Sequence, residues 1–502
     1  MKTKLLFCCL VMASLSANAQ TTLNLKVNVE KGVGSLTKGD AVINSIYYVP
    51  AALQNSSVSH DSYFFNGVQA GKEFKIDCYN LPKRFDMEPL SDSLEDFWDV
   101  QSIKSLSSLS KLPDLYSIRT GIEEDAMSFI SSLEQNGLVF DDPYLVSYLY
   151  SIVSKIAPKN RPDGFPYNLN IVIAKEDSMN ACVYPNGTLV INTGLLANIH
   201  TEDELVAVIA HEIGHFASNH ALINIQKAIQ RKQRAEAFAA IATAIAATAE
   251  VYAASRGSYV DGSITFGTAV LSAAIAADVA KSLGTNFTKE QEKDADEMAM
   301  RALTLLGYDS NACATLFSRM GKAFNENGNW AAYYMSEDHP SLQERVEYCG
   351  GKPNLKRDPE FEKKISFAVT NAAIAKLNFG RFDQALAYVN QNIENGVATD
   401  DDLLIKAQCL MNLNNDAQSN NDALSLIQKA KSINPNNANI HKSEIIANLR
   451  LNRNSQALSL LGEYMSELNS SIESVDVDSR AYSYYANELD WARKMKCKVS
   501  GL

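Results

Sequence analysis

TEDELVAVIAHEIGH, residues 201–215, is the stretch from which the rest of the chain can be read. Thr201 followed three residues later by Glu204 is a capping box, so a helix starts here. Leu205, Val208 and Ile209 give that helix an apolar stripe. His211-Glu212-Ile213-Gly214-His215 then falls one to two turns inside it. Positions i and i+4 share a helix face, so both imidazoles can point at one ion. Glu212 sits beside the first of them and can hold a water without being a ligand. Two histidines leave a catalytic zinc site unfinished, because such a site takes three protein ligands and keeps one position open.

His220 does not supply the third ligand. It follows His215 by five residues, where an HExxHxxGxxH pattern needs six, and Ser218 stands at that pattern's glycine. On a continuing helix, at about 100° per residue, it would lie roughly 140° from His215. A carboxylate from a second helix is the other solution. Thr288 and Gln291 form another capping box, and Gly307 is a plausible stop. Between them lies Glu292-Lys293-Asp294-Ala295-Asp296. Glu292 and Asp296 are four apart on one face. One can bind zinc while the other orients a ligand histidine through its second ring nitrogen. Glu290, Asp294 and Glu297 are rivals by composition, and the Glu-x-x-x-Asp register favours Glu292.

Together these elements resemble the HtpX-like zinc metallopeptidases, a gluzincin family. The likeness rests on H-E-x-G-H at His211 to His215, on E-x-x-A-D at Glu292 to Asp296, and on H-P-x-x-x-x-R at His339-Pro340 to Arg345. Asn180-Ala181-Cys182, Pro185, Gly187, Asn192, Gly194, Leu195 and Leu196 resemble the family's hairpin and the turn after it. The resemblance covers residues 120 to 350 or so. It implies one zinc per chain at His211, His215 and Glu292, with Glu212 as base and His339 near the scissile carbonyl. Asp296 would stand behind a ligand, and Arg345 would have a structural or substrate role. The hairpin from Asn180 through Pro185 and Gly187 to Asn192 would offer an edge strand to an extended substrate. His339, presented next to Pro340, is either a fixed histidine beside the centre or one that occupies the open zinc position at rest and leaves when substrate arrives.

Outward from this centre the chain divides. Lys2 and Lys4, the apolar run from Leu5, and Ala17-Asn18-Ala19 read as a signal peptide over residues 1–19. Its removal takes the net charge from -12 to -14, by loss of two lysines. An acidic chain of this kind speaks against nucleic-acid binding. Residues 20–115 read as a β-rich accessory module without a legible role: Leu23, Leu25, Val27 and Val29 alternate, as do Phe74, Ile76 and Cys78. Residues 116–352 make the peptidase domain, helical with an edge β-hairpin. Residues 237–249 and 262–277 are uncharged and alanine-rich but short of the ~20 residues of a spanning helix. They read as a buried helical hairpin; the alternative faces lipid or forms a lid, which would bring peripheral membrane contact.

From 360 to 490, Ala385, Ala423 and Ala457 recur at spacings of 38 and 34 residues. A period of about 34 is that of tetratricopeptide repeats, with Ala430 and Pro435 at fitting offsets. The first spacing carries a four-residue insertion near Asn412 to Asn421. The fold class is therefore mostly α with a small β component, ending in an α-solenoid. After the signal, Cys78, Cys182, Cys313, Cys349, Cys409 and Cys497 remain. Their spacing fixes no pairing, although Cys313 and Cys349 could meet.

The function expected is a zinc-dependent metalloendopeptidase of the periplasm, acting on unfolded or misassembled envelope polypeptides and binding a protein partner through its repeats. The competing readings are a repeat-based scaffold with a silent peptidase module, and an aminopeptidase or another metal hydrolase. The intact His211, Glu212, His215 and Glu292 set favours activity.

Overall fold

A computed structural model of the chain describes residues 20–32, 34–49, 62–78, 85–89, 91–109, 115–159, 169–184, 186–224, 287–327, 341–414, 416–437 and 439–500. Among these the protein is mostly helical with a small sheet component. The signal peptide, the two alanine-rich runs, Pro185 and His339 lie outside the described residues. No helix among the described residues is long and apolar enough to cross a membrane.

The described residues form two compact units. The first takes those within Met1–Ala174, Met179–Thr248 and Ala274–Arg357; the second takes those within Lys175–Ser178 and Asp358–Leu502.

In the first unit, β1 (Gln20–Val29), β2 (Gly39–Val49), β3 (Ser62–Gln69), β4 (Lys72–Asp77) and β5 (Phe85–Pro89) make an antiparallel sheet in the order β4-β3-β2-β1-β5. The alternation in β1 buries Leu23, Leu25, Val27 and Val29 and exposes Lys26 and Asn28 between them. In β2 a bulge between Ile43 and Ser45 shifts the register, so Ile43 and Ile46 are both buried although three apart. Helix α1 (Leu94–Leu109) covers this face with Val100, Ile103 and Leu106. Leu222, from the segment after the HEIGH helix, belongs to the same core. The sheet is therefore built into the unit that carries the metal motif. Two buried hydrogen bonds reinforce the joint: Trp98 Nε1 donates to the Ile156 carbonyl at 2.5 Å, and Asn219 Nδ2 to Ser105 Oγ at 2.9 Å.

Next come α2 (Leu115–Gln135) and α3 (Pro143–Ile156). Asp142 caps α3 by accepting from Tyr144 and Leu145 N–H, and Pro143 fits the first turn, where no partner for its missing N–H is needed. A three-stranded sheet follows, in the order β6 (Asn170–Ala174), β8 (Thr188–Asn192), β7 (Ala181–Val183). Strand β6 runs parallel to β8, and β7 antiparallel to it. A bridge from Val139 to Ala174 covers the outer side of β6, so β7 is the open edge among the described residues. The short α4 (Thr193–Leu196) leads into α5 (Glu202–Ala217), the HEIGH helix. Then follow α6 (Lys289–Leu306), α7 (Ala312–Asn327) and α8 (Leu342–Tyr348).

The capping boxes read from sequence differ in outcome. At α6 both halves form, between Thr288 and Gln291, and Gly307 ends the helix at φ 79°. At α5 only the Thr201 half forms. Glu204 is buried, and its carboxylate turns to the Thr201 hydroxyl at 3.1 Å and to Arg319 Nε at 2.8 Å. A buried carboxylate gains more from a cation than from a backbone N–H that water can satisfy.

The second unit is a run of helices: α9 (Pro359–Lys364), α10 (Ser366–Asn378), α11 (Phe382–Glu394), α12 (Asp400–Leu413), α13 (Ala417–Ile433), α14 (Asn439–Arg450), α15 (Asn454–Glu473) and α16 (Arg480–Ser500). Each packs on the next. Ala385, Ala423 and Ala457 are fully buried in α11, α13 and α15, where a methyl lets neighbouring helices approach closely. Helix α13 starts six residues before its alanine, whereas α11 and α15 start three before theirs. Most of the four-residue insertion is thus taken up as about one extra helical turn.

Candidate metal centre

Helix α5 presents His211 and His215 one turn apart, with their Nε2 atoms 3.1 Å from each other. Helix α6 packs across α5 at Gly214. A Cβ on Gly214 would lie 3.3 Å from Met298 Cβ and 3.5 Å from Ala295 Cα, so a glycine there lets the two helices approach. That approach brings Glu292 Oε2 to 3.6 Å from His211 Nε2, and Glu292 Oε1 to 3.9 Å from His215 Nε2. One ligand atom from each of His211, His215 and Glu292 lies within 4.8 Å of the other two.

The donor chemistry suits a cation. Asp296, one turn beyond Glu292, lies with Oδ1 2.9 Å from His211 Nδ1. A carboxylate can only accept, so Nδ1 carries the proton, and in the neutral ring this leaves Nε2 as the lone pair toward the centre. His215 Nδ1 is likewise engaged, 2.9 Å from His220 Nδ1. Two nitrogens and a carboxylate oxygen thus converge, a donor set of the kind that binds zinc.

Behind the ligands sits Arg345, on α8. Its Nε donates to Asp296 Oδ2 at 2.9 Å and its Nη2 to Asp296 Oδ1 at 2.6 Å, a bidentate fork. Its Nη1 lies 3.2 Å from Glu292 Oε2, and its guanidinium rests over the Phe317 ring, 3.8 Å from the centroid. Burial works against ionising Asp296, yet Arg345 and the His211 imidazole hold its carboxyl below the usual range. A reciprocal Ser341–Glu344 box starts α8 and so places Arg345 in its first turns.

Residues 146–349 match the model of Peptidase family M48. The chain carries an M48 peptidase domain. That span contains His211, Glu212, His215, Glu292, Asp296 and Arg345. The beta-barrel assembly-enhancing protease assigned in Vibrio cholerae is 24% identical over 250 residues, 48% of this chain and 46% of that one. The beta-barrel assembly-enhancing protease of Escherichia coli K12 is 22% identical over 259 residues, 50% of this chain and 48% of that one. Metalloprotease LoiP of Escherichia coli K12 is 29% identical over 190 residues, 38% of this chain and 64% of that one. The chain spans 46% and 48% of the two beta-barrel assembly-enhancing proteases, about half of each. M48 peptidases are metal-dependent proteases, and the His-His-Glu group is where this M48 domain could hold the metal.

Glu212 completes the centre of the M48 domain. Burial pushes its carboxyl up to about 7, with Glu292 adding to the rise and His211 opposing it. Its Oε2 accepts from the Val183 N–H at 3.2 Å. That contact ties the β7 edge to the HEIGH helix. Tyr184 N–H donates to Thr188 O, and Asn192 N–H to Asn180 O. The backbone groups of residues 180, 182 and 184 therefore face β8, and those of Ala181 and Val183 face the open edge.

Of the hairpin residues singled out from sequence, Asn180, Gly187 and Asn192 close the hairpin, and Gly187 supplies φ 90° in the turn. The edge itself is offered by Ala181 and Val183. Sequence reasoning missed two residues around His215. Its ring is stacked on Phe287, with centroids 3.8 Å apart. His220 reaches His215 because the helix does not continue. Helix α5 ends at Ala217, and Asn219 takes φ 53°, which swings His220 back over the previous turn. The visible signal was the Ser218-Asn219 pair, since asparagine tolerates the left-handed region better than most residues.

Proposed function

We propose that the chain is a zinc-dependent endopeptidase of the cell envelope that cleaves unfolded or misassembled polypeptides. The observation that carries this reading is the convergence of His211, His215 and Glu292 with Glu212 beside them, next to an open strand edge. His211, His215 and Glu292 would hold the zinc, which when bound supplies Lewis-acid chemistry. Glu212 would take the proton of the attacking water and return it to the leaving amine as the C–N bond breaks. A carboxyl raised to about 7 by burial is suited to both transfers near neutral pH. Asp296 and Arg345 would hold His211 and Glu292 in place without touching substrate.

An extended segment would add to β7 through the outward N–H and carbonyl of Ala181 and the carbonyl of Val183, whose N–H is held by Glu212; such pairing reads chain conformation more than side-chain identity. His339 would donate to the developing oxyanion. Export by the signal peptide would place the enzyme in the periplasm. Helices α10 to α15 would act as tetratricopeptide repeats that recruit a protein partner or substrate, a reading supported by the buried Ala385, Ala423 and Ala457. The names of the Vibrio and Escherichia relatives are consistent with an envelope role. The test is Glu212→Gln assayed on casein, with zinc content measured in parallel. Cleavage should vanish while zinc stays. Full cleavage by this variant would remove Glu212 as the base.

A further inference from the structure

Helices α7 and α8 come together at the start of one and the end of the other. A Cβ on Gly350 would lie 3.4 Å from Asn311 Oδ1. The Asn354 N–H donates to Thr315 Oγ1 at 2.7 Å, and Arg345 lies over Phe317. Between these contacts fall Cys313 and Cys349, only 2% and 3% exposed. The Cys349 thiol beside Cys313, together with burial, pushes the Cys313 thiol well up, and both are reduced in the structure.

We propose that Cys313 and Cys349 are a disulfide site that closes in an oxidising compartment and fixes the helix carrying Arg345. The physiological half of this rests on the export proposed above; the geometric half does not. Contacts on both sides of the pair already set the backbone, so joining the two sulfurs requires little movement. Cys349 lies one turn after Arg345, hence on the same helix face. Helix α8 has seven residues and is too short to hold itself by its own hydrogen bonds. A covalent link at its end therefore steadies Arg345, and through it Asp296 and His211.

The chemistry is thiol–disulfide exchange with an oxidised thiol couple such as glutathione disulfide. The thiolate of one cysteine attacks a glutathione sulfur, and one glutathione leaves. The second cysteine displaces the other glutathione from the mixed disulfide. One S–S bond forms in the protein and one breaks in the oxidant; two electrons and two protons end on two glutathione thiols. Because both sulfurs are buried, exchange takes place before α8 docks or when it lifts.

The experiment uses the full purified chain, equilibrated in reduced and oxidised glutathione, alkylated, and digested without reduction for mass spectrometry. A Cys313–Cys349 linked peptide is expected. Reduction should then lower the unfolding midpoint by roughly 5–10 °C, as a link across the 35 residues between the two cysteines would. Zinc release to a chelator should be several-fold faster from the reduced than from the oxidised protein. It should be equally fast from a Cys313→Ala/Cys349→Ala variant and unchanged in Cys497→Ala. Alkylation of both cysteines after full oxidation, or pairing of either with another cysteine, would overturn the site. A linked protein whose zinc release matches the reduced form would overturn the bracing of Arg345. None of these readings depends on where the chain resides, which cell fractionation decides separately.

Discussion

Replacing Arg345 by alanine removes the cation that two buried carboxylates share. Asp296 is 1% and Glu292 6% exposed. Arg345 gives Asp296 two hydrogen bonds and sits 3.2 Å from Glu292. Breaking a buried pair by deleting one partner costs about 3–5 kcal/mol, because the remaining charge stays buried. For the first unit this corresponds to a fall of roughly 6–20 °C in the unfolding midpoint. The sign of the pH dependence follows from Asp296. Its folded pKa is depressed, so its stabilisation is present above its unfolded value near 3.9 and is lost as pH falls through the folded pKa. The Arg345→Ala penalty should therefore be full at pH 7 and shrink below about pH 4. Zinc affinity should fall by about 10–100-fold, the usual effect of removing a group that orients a ligand. Arg345→Lys should recover part of the stability, since it restores charge without the bidentate fork. The assay is thermal unfolding of the metal-free protein at pH 7 and at about pH 2, below the depressed carboxyl, with a zinc titration at pH 7. A loss at pH 7 below about 1 kcal/mol, or an equal loss at both pH values, would refute the assignment of this stability to the buried ion cluster.

Three further outcomes are expected. Glu292→Ala should lose zinc by metal analysis while Glu297→Ala keeps it, because Glu297 accepts from the exposed Tyr348 hydroxyl and is not part of the His-His-Glu group; the reverse pattern would move the third ligand. Asp99 on α1 has its pKa pushed up to about 7 by burial, with Glu95 and Asp96 adding to the rise. It therefore opposes folding increasingly as pH rises from its unfolded value toward 7, and Asp99→Asn should stabilise by up to about 4 kcal/mol at pH 8 and by almost nothing at pH 4, read by urea unfolding. His220→Ala should weaken zinc binding by about tenfold with little change in the unfolding midpoint, measured by competition with a chromogenic chelator.

Much of the centre is legible in the sequence because helices are local objects. The spacing of His211 and His215, or of Glu292 and Asp296, sets a shared face through interactions reaching only four residues. The Thr288–Gln291 box and the left-handed Gly307 mark the ends of α6 by equally short-range rules. The alternation in β1 likewise names its buried face. What lay beyond reach depended on which elements pack together. Arg345 grips Asp296 across 49 residues of chain. Glu204 leaves its cap for Arg319 on another helix. His220 meets His215 only because α5 stops, where a helical wheel lets it run on. The first sheet, which reads as a small accessory module, shares its core with Leu222 beyond the HEIGH helix. In each case the deciding energy is burial or ion pairing between residues far apart in sequence. Local propensity cannot anticipate such a pairing, and only the tertiary structure selects the partner.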